Sequence, residues 1–194
     1  MTRPKAPAKF VDPRIRRSRQ MLKEALAKLL EEKDFDAISV QDITERATVN
    51  RATFYDHYPD KSALVEDMVR DRFDELLAKR QLSFDASSNA GLRAIVSTVC
   101  DFLLPITVGC GGSRRNLELL IQTTVIDRIR SIFSSGLKEH RIGPAAKVAF
   151  FANVISWLIY GAVANWVRDD KRPPQDEHVE TVCVLVEAIC DFSR

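Results

Sequence analysis

Apolar residues recur at helical spacing along most of this chain of 194 residues. The first stripe begins after an N-terminal segment rich in basic residues and consists of Ile15, Leu22, Ala25, Leu26, Leu29 and Leu30. Apolar and polar residues do not alternate over any long segment, and signals for β-hairpins are absent from the sequence. The pattern predicts an all-α protein with about nine helices.

Residues that suit the start of a helix precede several of these segments. Asp12 can cap the first helix, Ser39 can cap the segment "VQDITERA", and Asn50 can cap "RATFYDHY". Pro59 then ends the third segment and precedes a longer helix. Further helices are predicted around residues 92–104, 114–139, 145–168 and 177–192, separated by stretches rich in glycine, proline or polar residues.

Charge is distributed unevenly, although the whole chain has a net charge of only +2. The segment that ends at Arg19 contains seven basic residues and one acidic residue, a net charge of +6, which leaves −4 for the remaining chain. A basic end suggests a polyanionic partner, and a solubilising tail is the alternative. We predict a flexible basic arm in residues 1–11, a DNA-binding domain in 12–62, and a regulatory and dimerisation domain in 63–194.

The four cysteines, Cys100, Cys110, Cys183 and Cys190, form no C-x-x-C pair and have no histidine at metal-ligand spacing. Buried, reduced thiols are the favoured interpretation, and a redox switch is the alternative. We expect no metal and no cofactor. The apolar segment 145–167 is interrupted by polar residues, which favours a buried helix over a membrane span. The start of the chain lacks the apolar core of a signal peptide, so a cytoplasmic location is expected.

A helix-turn-helix is predicted between residues 39 and 58. Five apolar residues can form one small apolar wedge that fixes two short helices at a steep angle: Ile43, Ala47, Val49, Phe54 and Tyr58. The connecting turn has about three residues, as this motif requires. An ordinary pair of helices with a solvated outer side would show a similar pattern.

The residues left outside the wedge suit the edges of DNA bases. Arg51 can donate two hydrogen bonds to O6 and N7 of guanine, and Gln41 can pair with adenine or meet a phosphate. Ala52 is small enough to approach a thymine methyl group. These residue types favour DNA over a merely solvated surface.

A second group of residues suits the phosphate backbone. Thr53, Tyr55 and His57 present short or rigid donors, and Lys61 adds its charge near the positive end of the next helix. Phosphate contacts set the register of a protein on a duplex, whereas base contacts select the sequence.

The stretch from Ser39 to Leu64, and above all "TFYDHYPDK", resembles the signature of the TetR/AcrR family of bacterial transcriptional regulators. The resemblance covers about residues 12–68. It implies base contacts from Gln41, Arg51 and Ala52, and phosphate contacts from Ser39, Thr53, Tyr55, His57 and Lys61.

Two residues depart from the family pattern. The family often has glycine where this chain has Thr48, so a turn that is strained or slightly different is expected. It often has alanine at the position of Thr44, so the two helices are expected to pack a little farther apart.

The last two helices carry more large apolar residues than one buried face requires. They form either the core of one subunit or an interface with a second copy. The resemblance implies a homodimer with a four-helix interface, and two copies would contact a palindromic DNA site. It also implies a ligand cavity in the C-terminal domain, and the polar residues Asn153, Ser156 and Asn165 either face that ligand or satisfy nearby backbone groups.

We therefore predict a sequence-specific DNA-binding transcriptional regulator, a repressor that a small-molecule effector releases from double-stranded DNA. The alternatives are a regulator controlled by a protein partner and a DNA-organising factor without a small ligand. An enzyme is not expected, because the sequence has no catalytic triad order, no phosphate-binding loop and no dinucleotide-binding motif.

Overall fold

The computed structural model describes residues 12–80, 89–108, 115–139 and 145–191, and all regular secondary structure in this part of the chain is helical. The helices are α1 (Pro13–Glu32), a 3-10 turn (Phe35–Ala37), α2 (Val40–Ala47), α3 (Arg51–His57), α4 (Lys61–Ala78), α5 (Asn89–Val108), α6 (Arg115–Glu139), α7 (Ala145–Arg168) and α8 (Gln175–Asp191). The predicted all-α class is confirmed. The predicted arm at residues 1–11 lies outside the described residues, as does Cys110.

Two compact units divide the chain, one within Met1–Val65 and one within Glu66–Arg194. We call the first unit the head and the second the body. The head contains α1, α2, α3 and the first residues of α4. The body contains the remainder of α4 and the helices α5 to α8.

In the head, α1 packs against both α2 and α3, which also pack against each other. The fully buried side chains are contributed by every helix and by the connection after α1: Leu22, Leu26, Ile38, Ile43, Phe54 and Leu64. One small core therefore fixes the orientation of α2 and α3.

The three predicted helix caps are present in the head. The side chain of Asp12 accepts a hydrogen bond from the backbone N–H of Arg14 at 2.9 Å, and that of Asn50 accepts one from Ala52 at 2.9 Å. Ser39 and Asp42 form a reciprocal capping box at the start of α2. Each cap satisfies backbone donors that the helix itself leaves unpaired.

The body is organised around α7, which packs against α5, α6 and α8. Its inward face is apolar, with Ala152, Ile155, Ile159 and Val163 fully buried. The part of α4 that belongs to the body is joined to α6 by an ion pair between Asp74 and Arg128, at 2.6 Å.

Two body helices, in the windows Asn89–Ile106 and Ala145–Arg168, are long and apolar enough to cross a membrane by length and composition alone. Core helices of soluble proteins satisfy the same test, and both helices pack against other helices of the body. Cys100 and Cys183 are buried free thiols, as predicted. Burial raises the pKa of the Cys100 thiol to about 12, which keeps it protonated and unreactive.

Candidate DNA-binding surface

The turn between α2 and α3 contains a strained residue. Thr48 has φ 56° and ψ 43°, in the left-handed region, and among the described residues other than glycine it is the one with a positive φ. Its backbone N–H donates to the carbonyl of Glu45 at 3.1 Å, and that of Val49 donates to Thr44 at 3.0 Å. A β-branched residue is unfavourable in this conformation. The strain expected where the family often has glycine is therefore present.

The predicted apolar wedge is buried at four of its five positions. Ile43, Ala47, Phe54 and Tyr58 are inaccessible or nearly so, and Val49 is half-buried. This packing fixes α3 on α2, so the opposite side of α3 is held in a defined orientation.

Thr44 is also buried beneath this contact. Its hydroxyl donates to the carbonyl of Gln41 at 3.0 Å, within its own helix. The extra polar group therefore has a hydrogen-bond partner that does not involve α3. The wider helix spacing expected from this residue remains a prediction.

The exposed face of α3 carries Arg51, Ala52 and Tyr55. A guanidinium nitrogen of Arg51 donates to the Tyr55 hydroxyl at 3.4 Å, and the guanidinium carbon lies 5.7 Å from the Tyr55 ring centroid. That ring in turn meets the buried Phe54 ring edge-on, with centroids 5.4 Å apart. The arginine that was predicted to contact a base therefore rests on an aromatic ring anchored to the core, and most of its five N–H donors stay available. This pair was not predicted from the sequence.

Two predicted phosphate ligands on α3, Thr53 and His57, are half-buried. The His57 ring lies edge-on to Tyr58, with centroids 6.3 Å apart. Tyr58 also accepts a hydrogen bond from Nε of Arg19 at 3.1 Å. One cation of the basic N-terminal segment is therefore tied to the core of the head.

Ser39 and Gln41, at the start of α2, are exposed and already have partners within the helix. The Ser39 hydroxyl donates to the Asp42 carboxylate at 2.8 Å and accepts from the Asp42 backbone N–H at 3.1 Å. The Gln41 amide donates to Glu45 at 2.8 Å. A DNA contact from either side chain requires it to exchange or share these bonds.

Lys61 occupies a position that the sequence did not reveal. Its ammonium donates to the carbonyls of Phe35 and Ile38, each at 2.7 Å, and to that of Asp36 at 3.3 Å. It also lies 4.5 Å from the centroid of the Phe35 ring. These contacts use all three donor positions of an ammonium group to hold the connection between α1 and α2. The predicted phosphate contact stays a prediction, and the structure adds an internal role.

Acidic side chains near this surface are held in their charged form. The backbone N–H of Ser39, followed by Lys33, lowers the pKa of Asp42 to about 2. A bidentate hydrogen bond from Arg46, at 2.8 and 2.6 Å, lowers the pKa of Glu32. Arg46 is thereby paired within the head, so Arg51 is the favoured base-contacting arginine on α2 and α3.

Known proteins resemble this chain in sequence. Residues 22–68 match the family model of bacterial regulatory proteins, tetR family. Over 70 residues the chain is 39% identical to the HTH-type transcriptional regulator YxbF of Bacillus subtilis, a match that covers 36% of this chain and 18% of that relative. It is 26% identical over 184 residues to the nucleoid occlusion factor SlmA of a Marinomonas species, covering 87% and 93% of the two chains.

A solved structure extends the likeness to the body. The TetR family repressor AlkX from a Dietzia species superimposes with a TM-score of 0.54 at 20% identity, over 89% of this chain and 96% of that one. Residues 22–68 therefore resemble the tetR family, and the whole chain shares the fold of AlkX. The matched segment contains α2 and α3, the two short helices of the helix-turn-helix, and the helical body follows it.

The body exposes large apolar side chains on both α7 and α8. Four large apolar side chains of these helices are at least half exposed to solvent: Phe150 (64% exposed), Trp157 (50%), Val184 (54%) and Leu185 (51%). We call these four residues the apolar patch. The predicted core role is confirmed for the inward face of α7, and the predicted interface with a second copy stays a prediction.

Polar residues of α7 were predicted to face a ligand or to satisfy nearby backbone groups. The hydroxyl of Ser156 donates to the carbonyl of Asn153 at 2.7 Å, within the helix. The amide oxygen of Asn153 accepts from Arg130 at 3.3 Å, and Asn165 is exposed. For Ser156 the backbone alternative is therefore correct.

Proposed function

We propose that this protein is a cytoplasmic, homodimeric transcriptional repressor of the TetR type that binds a palindromic operator and releases it when an effector binds the body. The observation that carries the proposal is the outer face of α3. Arg51, Ala52 and Tyr55 are exposed there on a helix whose opposite side is fixed by buried Phe54 and Tyr58. Catalysis is not part of this proposal.

In this proposal the residues of the head divide into two groups. Arg51 donates to guanine, Gln41 exchanges its bond with Glu45 for adenine or a phosphate, and Ala52 contacts a thymine methyl. The remaining predicted residues position the head on the backbone through phosphates: Ser39, Thr53, Tyr55, His57 and Lys61. Arg51 is the strongest candidate of the first group because its guanidinium is already supported by Tyr55.

The apolar patch supports a homodimer. Single exposed apolar residues are ordinary, whereas a cluster on two neighbouring helices marks an interaction surface. Gly161 lies on α7 four residues after Trp157, and a side chain built there would touch nothing within 4 Å. An open glycine permits close approach of a second helix, so α7 and α8 of two copies would form a four-helix interface.

A leucine-to-glutamate change tests this interface. Leu185→Glu places a charge in the apolar patch and should raise the dimer dissociation constant at least 100-fold in sedimentation velocity. Lys171→Glu, at an exposed position outside the patch, is the matched control and should leave it unchanged. Dimers that persist in Leu185→Glu at the wild-type concentration range would contradict the proposed interface.

Effector control follows from linkage. The spacing of the two heads in a dimer either fits the operator or does not. A ligand that binds the non-fitting conformation more tightly lowers DNA affinity, at most by the ratio of the ligand's affinities for the two conformations. The body contains a cavity of about 580 Å³, which lies within the usual range for small-molecule sites.

A second candidate is a DNA-organising factor, and one observation favours it. The match to the nucleoid occlusion factor SlmA extends over 87% of this chain, whereas the match to the transcriptional regulator YxbF covers 36%. A protein of this class would bind the same kind of DNA site without control by a small ligand.

Sequencing the genomic DNA that the protein retains separates the two candidates. A repressor should enrich a small number of palindromic sites that overlap promoters, and genes beside those sites should increase in expression when the protein is deleted. A DNA-organising factor should enrich many sites distributed along the chromosome, with little change in the adjacent genes. Retention of genomic fragments without any shared sequence would contradict both.

A further inference from the structure

The cavity in the body has an apolar wall and a charged rim. It lies between the end of α5, the start of α6 and the end of α7. Leu103, Ile121 and Val167 contribute buried apolar surface to it. Half-buried Tyr160 adds a hydroxyl group to this wall. The cavity can therefore enclose an apolar group and offer it a polar contact.

The rim is formed by exposed charged residues. Three are arginines, Arg115, Arg168 and Arg172, and two are acids, Glu118 and Asp170. These five side chains leave the rim with one positive charge in excess. A ligand with a single negative charge matches that excess, whereas a cation or a doubly charged phosphate ester matches it less well.

The three arginines differ in how they are held. Arg172 donates to the carbonyl of Val167 at 3.4 Å and lies over the ring of Trp166, 5.5 Å from its centroid. The described part of the chain offers neither a hydrogen bond nor an ion pair to Arg115 or Arg168. Their donors are therefore available to a ligand, and a guanidinium matches the geometry of a carboxylate in a bidentate manner.

The Tyr160 hydroxyl supplies a neutral donor beside these cations. Burial raises its pKa, the Arg168 guanidinium opposes that rise, and the Glu118 carboxylate adds to it. The phenol consequently keeps its proton at neutral pH. Both charged residues influence the ionisation of this hydroxyl, and all three side chains line the same cavity.

We propose that the cavity binds an amphipathic monocarboxylate, with its carboxylate on Arg115, Arg168 and the Tyr160 hydroxyl, and its apolar part against Leu103, Ile121 and Val167. This inference rests on the proposed function, because it names the chemical class of the effector. The ligand is recognised by one negative charge at the rim and by an apolar portion that enters the cavity.

Calorimetry with three ten-carbon probes tests the ligand class without DNA. Decanoate, 1-decanol and decylamine have similar apolar chains and differ in charge. Below its micelle concentration, decanoate should bind at least 10-fold more tightly than decanol, and decylamine should bind more weakly than either. Equal affinity for decanoate and decanol, or no decanoate binding at millimolar concentration, would overturn the proposal.

Arginine variants locate the site. Arg168→Met and Arg115→Met should each weaken decanoate binding about 10-fold or more while leaving decanol binding unchanged. The control is Arg70→Met, which removes an exposed arginine whose ion pair with Glu66 is outside the cavity. Melting temperatures should be the same for all three variants. Wild-type affinity for decanoate in both cavity variants would show that the carboxylate does not bind here.

Operator binding separates this inference from the proposed function. If decanoate binds in an arginine-dependent manner and operator affinity does not change, the ligand site stands and effector control is wrong. If a neutral compound releases the operator and decanoate does not bind, effector control stands and the monocarboxylate is wrong.

Discussion

The head and the body encode their functional surfaces in different ways. The head is defined by neighbours in sequence: Ser39 caps α2, Asn50 caps α3, and Arg51 meets Tyr55 one helical turn later. The body brings together helix ends that are far apart, so that Leu103, Arg115 and Tyr160 line one cavity. A surface made by local contacts can be predicted from sequence, whereas a cavity depends on tertiary packing.

The largest difference in stability between the two units should come from removing one large buried side chain from the core of the head. Phe54 is fully buried, so Phe54→Ala should lower the free energy of unfolding of the head by about 3–5 kcal/mol. Hydrogen exchange should show lost protection in α1 to α3 and retained protection in α7. The control is Tyr55→Ala at a half-exposed position of the same helix, which should change stability by less than about 1 kcal/mol. Loss of protection in both units alike would show that the head has no separate core.

The next effect concerns Lys61, whose three bonds to carbonyls make the head depend on a charged group. Lys61→Met keeps the length of the side chain and removes the ammonium, so the head should lose about 1.5–3 kcal/mol of stability. Lys28→Met, on the exposed side of α1, is the matched control and should change stability by less than about 0.5 kcal/mol.

Lys61 has two roles to separate, the predicted phosphate contact and the internal bonds to carbonyls. The salt dependence of DNA binding by Lys61→Met distinguishes them. A phosphate contact removes about one unit from the slope of log affinity against log salt. Unchanged stability together with a reduced slope would make Lys61 a phosphate ligand alone and contradict the internal role.

A smaller effect, of opposite sign, comes from the strained turn. Thr48 is left-handed at φ 56°, and glycine adopts this conformation without steric conflict. Thr48→Gly should therefore stabilise the head by about 1 kcal/mol. Thr48→Val remains β-branched and should give no gain, which makes it the control. A loss of stability in Thr48→Gly, measured by urea denaturation, would show that the threonine side chain makes a favourable contact that outweighs the strain.

The smallest effect is a pH dependence in the body. The ring of His178 is stacked on Trp166, with centroids 5.2 Å apart. Its buried Nε2 has no hydrogen-bond partner among the described residues, and burial lowers the pKa of the ring below 6.5. The unfolded chain therefore takes up the proton first, so this contribution to stability is complete above about pH 6.5 and declines as the pH falls toward the folded pKa. His178→Phe keeps an aromatic ring at this position and removes the titrating group. The melting temperature of the variant minus that of the wild type should therefore increase as the pH falls below 6.5. A pH-independent difference would contradict the assignment.

The particular residues show why prediction succeeded in one unit and failed in the other. The caps, the apolar wedge and the bounds of α7 follow from short-range patterns, and the structure confirms them. The carbonyls that hold Lys61 were not predictable, because every residue has a carbonyl and the sequence does not tell which ones converge. Arg115 and Arg168 were not singled out either, since a cation at a helix end is ordinary until a shared cavity makes it significant.

The central claim is that Arg51, supported by Tyr55 on the exposed face of α3, contacts a base of the operator. The direct measurement is the binding of wild type and Arg51→Ala to the operator, to operators changed at each base pair, and to random DNA. We expect the variant to lose about 1–3 kcal/mol on the operator, to lose its preference at one base position in each half-site, and to bind random DNA nearly as well as wild type. An equal loss on the operator and on random DNA, with every base preference retained, would contradict the claim.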